Sequence, residues 1–236
     1  MSFFGDPARH EHVYHHFYRI PRMGAVGLTG HGGPFGFDIA AAVAADYLVT
    51  GYGCDGLIET GCFLGDTTAY LAAAYPDLPV TSCDIAAAHV ELVRRRLRAA
   101  PNVTIEHGDA ARVVAARARK YERPFFYLDA HGGERWPLQA ELEAIERGIV
   151  CIDDFDVGHP RFAFDTWNGV VCGPELIAPL ASRAPHYWVL DPEADLPFPC
   201  LQMGRRGGKA WLVLGLDPAV IDACPWFLRR DNGKTP

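Results

Sequence analysis

The sequence predicts an α/β fold: a seven-stranded, mostly parallel sheet with a C-terminal antiparallel hairpin and helices on both faces. Three observations predict it. From Asp55 onward, short apolar runs alternate with helix-like segments across brief connections, the order that yields a parallel sheet covered on both sides. Near the C-terminus, Tyr187 to Leu190 and Ala210 to Leu216 follow one another with no helix between them, so they pair antiparallel at one sheet edge. Finally, Glu59-Thr60-Gly61-Cys62-Phe63-Leu64-Gly65-Asp66-Thr67-Thr68 joins a strand to an Ala-rich helix through two glycines. Such a turn lets the backbone approach a ligand while the helix N–H groups attract its anionic part.

Each element has its own signals. Strand one is Gly56 to Thr60, and its helix runs from Thr67 to Tyr75, stopped by Pro76. Strand two, Val80 to Cys83, ends at Asp84; the next helix spans Ala86 to Ala99 and closes before Pro101. Strand three is Val103 to Glu106, after which Gly108-Asp109 opens a helix through Lys120. Strand four, Pro124 to Leu128, ends at Asp129. Pro137 then suits a first helical turn, Leu138, Leu142 and Ile145 form one apolar stripe, and Gly148 stops the helix. Strand five, Ile149 to Ile152, ends at Asp153-Asp154, and a short helix is expected near Glu175 to Ala181. The two hairpin strands are joined by a segment with Pro197, Pro199 and Gly204.

A chain of 236 residues fills one α/β core, and no Ser/Gly/Pro-rich linker divides it. The expected organisation is one domain over 55–236, preceded by an extension over 1–54 that covers the site or contributes to a homo-oligomer. That extension is aromatic and His-rich, then Gly-rich from Gly30 to Gly36, with a helix expected from Asp38 to Val49. His12 and His16 have helical spacing, read as incidental rather than metal-binding, and His31 is a weak candidate for a substrate contact. A net charge of −7 excludes a nucleic-acid or anionic-membrane surface, which needs a concentrated cationic face. Arg94-Arg95-Arg96 with Arg98 is the one basic cluster and reads as a solvated helix face. Seven scattered cysteines without a C-x-x-C pair read as reduced, buried thiols of a cytoplasmic protein. Neither a signal pattern nor a membrane-length apolar run is seen.

Seven strands with a terminal hairpin resemble the Rossmann-like class I S-adenosylmethionine-dependent methyltransferases, across about Asp55 to Leu216. The resemblance implies that Glu59 and the Gly61 to Gly65 turn hold the amino-acid end of the cofactor, with the N–H groups at Asp66 and Thr67 nearby. It implies further that Asp84 accepts the ribose hydroxyls and that Asp109, followed by Ala110, meets the adenine amino group, with Asp129 completing the cofactor-facing set. Each acid taken alone reads equally as a helix cap. An NAD-dependent oxidoreductase is the competing class; the Gly-x-x-x-Gly turn lacks the middle glycine of a dinucleotide fingerprint.

In a sheet of this order strands four and five are adjacent, about 5 Å apart, so Asp129, Asp153 and Asp154 gather where open α/β sheets bind ligands. Three neighbouring carboxylates need a cation or a shared proton. An oxygen-only donor set suits Mg²⁺; the alternative is that Asp153 or Asp154 caps the following loop while Asp129 takes a backbone N–H. The acid after strand four and the acidic pair after strand five resemble the metal-dependent macrocin-type O-methyltransferases, which implies that these three aspartates bind the metal and that the acceptor is a hydroxylated small molecule such as a sugar or natural-product moiety. Where that family commonly has an Asp as general base two residues after the first ligand, this chain has His131, able to take the role at working pH. The long segment Phe155 to Gly173 brings His159, Arg161, Asp165, Trp167 and Asn168 and reads as a binding loop, with Trp167 either facing substrate or packing beneath the loop. A metal-independent methyltransferase, with His131 alone as base for an O, N or C acceptor, is the second reading.

Overall fold

Side-chain alternation along the central strands divides the core into two faces. The computed structural model describes residues 7–23, 32–131, 136–194 and 206–233. Helices α1 (Pro7–Phe17) and α2 (Ile39–Gly51) precede strand β1 (Gly56–Thr60), helix α3 (Asp66–Ala74), β2 (Val80–Asp84), α4 (Ala87–Arg96), β3 (Val103–His107) and α5 (Ala110–Arg117). Then come β4 (Pro124–Leu128), α6 (Leu138–Ala144), β5 (Gly148–Ile152), three two-residue strands β6 (Phe162–Ala163), β7 (Thr166–Trp167) and β8 (Val170–Val171), and α7 (Pro174–Ile177). The chain ends with β9 (His186–Leu190), β10 (Arg206–Gly207), β11 (Ala210–Leu214), α8 (Ala219–Asp222) and β12 (Phe227–Asp231). In β1, Leu57 enters one core cluster and Ile58 the other; in β4, Phe125 and Tyr127 oppose Phe126 and Leu128; in β11, Trp211 and Val213 oppose Leu212 and Leu214. This period of two is what a strand buried on both sides imposes.

The sheet order is β12-β9-β11-β5-β4-β1-β2-β3. Strands β3 to β5 are parallel to one another through β2, β1 and β4, while β11 is antiparallel to β5 and to β9. The expected sheet of seven is therefore present with an eighth strand, β12, added antiparallel at the β9 edge. β12 escapes sequence reading because Leu228-Arg229-Arg230-Asp231 is mostly polar and its residues lie half-buried or exposed, as befits an edge strand.

Several boundaries shift. The helix expected over Ala86 to Ala99 ends at Arg96, and the one expected to reach Lys120 becomes a 3-10 turn after Arg117. α6 ends at Ala144, short of Gly148, which instead begins β5 with φ 136°. That glycine is needed because a Cβ would meet the Pro124 carbonyl and the Phe126 ring. The segment Phe155 to Gly173 carries β6 to β8, with β6 pairing to β10 and β7 to β8. His31 and the Pro197, Pro199 and Gly204 connection lie outside the described residues.

Within the segment 1–54, α2 forms part of the core. Asp38 caps it by accepting from Ala40 N at 2.9 Å, and Ile39 to Ala45, Leu48 and Val49 are all buried against the sheet. α1 was unforeseen because its His-rich sequence has no clear apolar stripe, yet Val13 and Phe17 anchor it to the same cluster. His12 gives Nε2 to the Ala74 carbonyl at 3.0 Å. The six described cysteines are free and buried. Among the described residues no helix is long and apolar enough to cross a membrane.

Candidate active site

A cavity of about 850 Å³ opens along the carboxyl ends of the parallel strands, the position where open α/β sheets take ligands. Glu59, Gly61, Asp66, Thr67, Asp84, Asp109, Ala110, Asp129, His131, Asp153 and Asp154 all line it. Gly65 does not. Its φ of 80° and its closeness to Val93 make it the packing point of the turn on α4, since a Cβ there would strike the valine.

Glu59 is buried on β1 and accepts from the Thr68 hydroxyl and from Ser82 Oγ at 2.6 Å. Burial pushes its carboxyl up to about 7 despite those two donors. The following turn closes on β2, with Gly61 N and Cys62 N both donating to the Cys83 carbonyl. Phe63, at its apex, holds φ 44° and is half exposed in the cavity wall, an unusual conformation for a bulky residue.

Asp84 orders this wall. Its Oδ2 accepts from Phe63 N at 2.9 Å and faces His89 Nδ1 at 3.1 Å, while Oδ1 accepts from Ala86 N. Asp109 caps α5 through Arg112 N at 3.2 Å, and Ala110 packs with Cys83 and Val113. Asp66 is tied to the N-terminal segment: it accepts from Gly33 N at 2.6 Å, from Met23 N at 3.1 Å and from Arg96 at 2.6 Å. Thr67 Oγ1 accepts from Phe35 N at 3.0 Å. The Arg94 to Arg96 run is thus more than a solvated face, since Arg94 bonds the Ile105 carbonyl and Arg96 also bonds that of Leu64.

The carboxylate cluster forms where strand adjacency predicts it. Leu128 and Ile152 are register partners, so Asp129 and Asp153 leave β4 and β5 side by side. One ligand atom from each of Asp129, Asp153 and Asp154 lies within 4.8 Å of the others, and this is the one such grouping of three metal-ligating side chains among the described residues. Asp153 is buried and accepts from the Tyr127 hydroxyl and from Lys209 Nζ at 2.6 Å. Asp154 follows in a left-handed conformation, φ 44°, tolerated better by Asp than by most residues. Burial, then Asp153, push the Asp154 carboxyl up to about 7; burial with Asp153 and Asp154 holds Asp129 well above the ordinary range.

Lys209 was missed. Its signal was legible only through register: β11 runs antiparallel to β5 and Ala210 partners Ile152, which sets Lys209 opposite Asp153. Burial works against its charge, but Asp153 and Asp38 outweigh it and hold the ammonium protonated. Gly207, two residues before it, approaches so closely that a Cβ would fall on Asp154 Oδ1.

His131, expected as general base, lies buried beside the end of β5. Its Nε2 lies 2.9 Å from the Asp153 carbonyl oxygen, which can only accept, so the proton sits on Nε2. Nδ1 is enclosed without a hydrogen-bond partner among the described residues, and burial lowers the imidazole pKa. As placed, the ring props the end of β5. Trp136 stands 5.3 Å from it and stacks in turn on Trp167 at 6.3 Å. Asp165 reaches the cavity from that loop, fixed by its N–H to the Asp154 carbonyl at 2.9 Å.

No protein-family model matches the sequence, and no curated protein matches it. Solved structures are similar in fold. A putative O-methyltransferase from Klebsiella pneumoniae superimposes with a TM-score of 0.50 at 17% identity, covering 89% of this chain and 91% of that one. An SAH-bound methyltransferase from Podospora anserina gives 0.51 at 11% identity, covering 89% of each. The chain has the Rossmann-like fold of these methyltransferases.

Proposed function

We propose that the protein is an S-adenosylmethionine-dependent O-methyltransferase acting on a hydroxylated small molecule, such as a sugar or natural-product moiety, with Asp129, Asp153 and Asp154 holding a divalent cation, Mg²⁺. The observation that carries this reading is the convergence of three carboxylates from two strand ends on the cavity that also holds Glu59 and Asp84. The charge count fits such an ion. Lys209 is paired with Asp153, which leaves Asp129 and Asp154, whose carboxyls burial and the neighbouring acids hold high, as the two a cation would match. All donors are carboxylate oxygens, the preference of a hard cation.

The cofactor supplies a sulfonium methyl group for in-line transfer to an acceptor oxygen, and the cation supplies charge that acidifies a hydroxyl held against it. The chain's own residues orient these partners. Glu59 and the Gly61 turn would hold the amino-acid end of the cofactor, Asp84 would offer lone pairs to ribose hydroxyls, and Asp109 would meet the adenine amino group. Lys209 and Tyr127 fix the direction of the Asp153 carboxylate. His131 acts as a support for Asp153, and Asp165, a further carboxylate of the cavity wall, would take the acceptor proton.

Turnover with a vicinal-diol acceptor tests the reading: exhaustive chelation should abolish it and Mg²⁺ restore it, and Asp129→Asn should lose it with cofactor affinity retained. A metal-independent enzyme is the second reading, favoured by one observation: Lys209 already places a cation in the cluster. Full activity after chelation selects it, with Asp129, whose carboxyl is held high, as the base.

A further inference from the structure

Asp84 has fewer open positions than a ribose calls for. A carboxylate offers about two lone-pair sites on each oxygen. Those of Oδ2 are taken by the Phe63 N–H at 2.9 Å and by His89 Nδ1 at 3.1 Å, with the Cys62 thiol 4.0 Å away as a third neighbour. On Oδ1 the Ala86 N–H takes one site at 2.8 Å. A single site, on Oδ1, is left for two vicinal hydroxyls.

His89 stands in the first turn of α4, where side chains lean back toward the helix N-terminus, and this lean carries its ring to the end of β2. The imidazole lines the cavity beside Asp84, Phe63 and Ile85, with 33% of the side chain exposed. The Phe63 ring meets it edge-on at 5.0 Å, a contact that fixes its plane. A carboxylate only accepts, so the Nδ1 that faces Asp84 carries a proton. Among the described residues no hydrogen bond reaches Nε2. That nitrogen accepts from a hydroxyl when the ring is neutral and donates to one when it is charged, and a hydroxyl serves both.

We infer that His89 is a second ribose-reading residue, binding one of the two hydroxyls through Nε2 while Asp84 binds the other through Oδ1. The inference rests on the S-adenosylmethionine reading above. The bond between Nδ1 and Asp84 locks the two groups into one recognition unit, so each hydroxyl has a partner of its own.

The test removes one hydroxyl and one nitrogen at a time. Binding of S-adenosylhomocysteine and of its 2′-deoxy and 3′-deoxy analogues is measured by calorimetry for wild type and His89→Asn. Asparagine keeps a donor where Nδ1 stands, so Asp84 stays saturated on Oδ2, but it has nothing at Nε2; a position one-third exposed tolerates the change. Wild type should bind each deoxy analogue roughly tenfold more weakly than the parent, as expected for one lost hydrogen bond. In His89→Asn one of the two penalties should vanish and the other remain. Both penalties retained in full, both falling together because His89 acts only through Asp84, or a wild type indifferent to either hydroxyl overturns the assignment while leaving the cofactor reading intact. Wild type that binds neither S-adenosylhomocysteine nor its analogues overturns the cofactor reading, and this inference with it.

Discussion

Lys209 Nζ lies 2.6 Å from Asp153 Oδ1, with both side chains almost wholly enclosed. The pair divides the acid cluster: one carboxylate is matched within the protein and two are left for something else. Removing the cation strands a buried charge beside two others, a change that typically costs about 3–5 kcal/mol. Lys209→Met should lower the urea midpoint accordingly, and adding Asp153→Asn should recover much of the loss. A midpoint unmoved by Lys209→Met would mean the pair carries no stability.

Gly207 tests the cluster's geometry without removing a ligand. A Cβ there would overlap Asp154 Oδ1 and come within 3.3 Å of Asp153 Oδ1, while the backbone itself needs no left-handed conformation. Gly207→Ala should therefore fold normally, push Asp154 aside and weaken divalent-cation binding by about tenfold or more, the effect expected when a ligand's supporting neighbours are disturbed. Mn²⁺ titration followed by electron paramagnetic resonance reads this directly; unchanged affinity would remove Asp154 from the coordination set.

Glu141, on α6, is fully enclosed, and burial pushes its carboxyl from 4.5 up to about 7. The folded state thus holds this proton more tightly than the unfolded one. Its contribution is fully present below about pH 4.5 and is lost as the pH rises through about 7, at up to about 1.4 kcal/mol per pH unit. Glu141→Gln should flatten the fall in stability between pH 5 and pH 7.5, by on the order of 3 kcal/mol. Parallel urea titrations of variant and wild type check this, and identical slopes would contradict it.

Asp66 fastens the N-terminal segment through Met23 N, Gly33 N and Arg96. Asp66→Ala should leave the sheet folded, because the residue belongs to none of the four core clusters, but should free Met23 and Gly33 from α3. Limited proteolysis should cut there at least tenfold faster, in keeping with the loss of several buried hydrogen bonds. Unaltered cleavage would show that Phe35 and Phe37 hold the segment alone.

The central sheet was legible because its strands are fully buried. β1 and β4 begin and end where expected, bounded by turn residues around continuous apolar runs, and Asp129 and Asp153 meet because neighbouring strands must end together. What depended on side-chain direction or antiparallel register was not legible. His131 follows Asp129 by two residues, yet nothing local told that its Nε2 would turn to the Asp153 carbonyl. Lys209 is 56 positions from Asp153 along the chain and reaches it only because β11 reverses beside β5. β12 and α1 were hidden for a compositional reason: a charged edge strand and a His-rich helix carry weak apolar periodicity, and their placement comes from the surfaces they cover.

Titration calorimetry with S-adenosylhomocysteine tests most directly whether the cavity is an S-adenosylmethionine site. Saturable binding at a stoichiometry of about one, weakened tenfold or more by Asp84→Asn as befits loss of charge-assisted hydrogen bonds to the ribose, and no binding of NADH, is the predicted result. Absence of binding to S-adenosylhomocysteine, or tight NADH binding in its place, would contradict it.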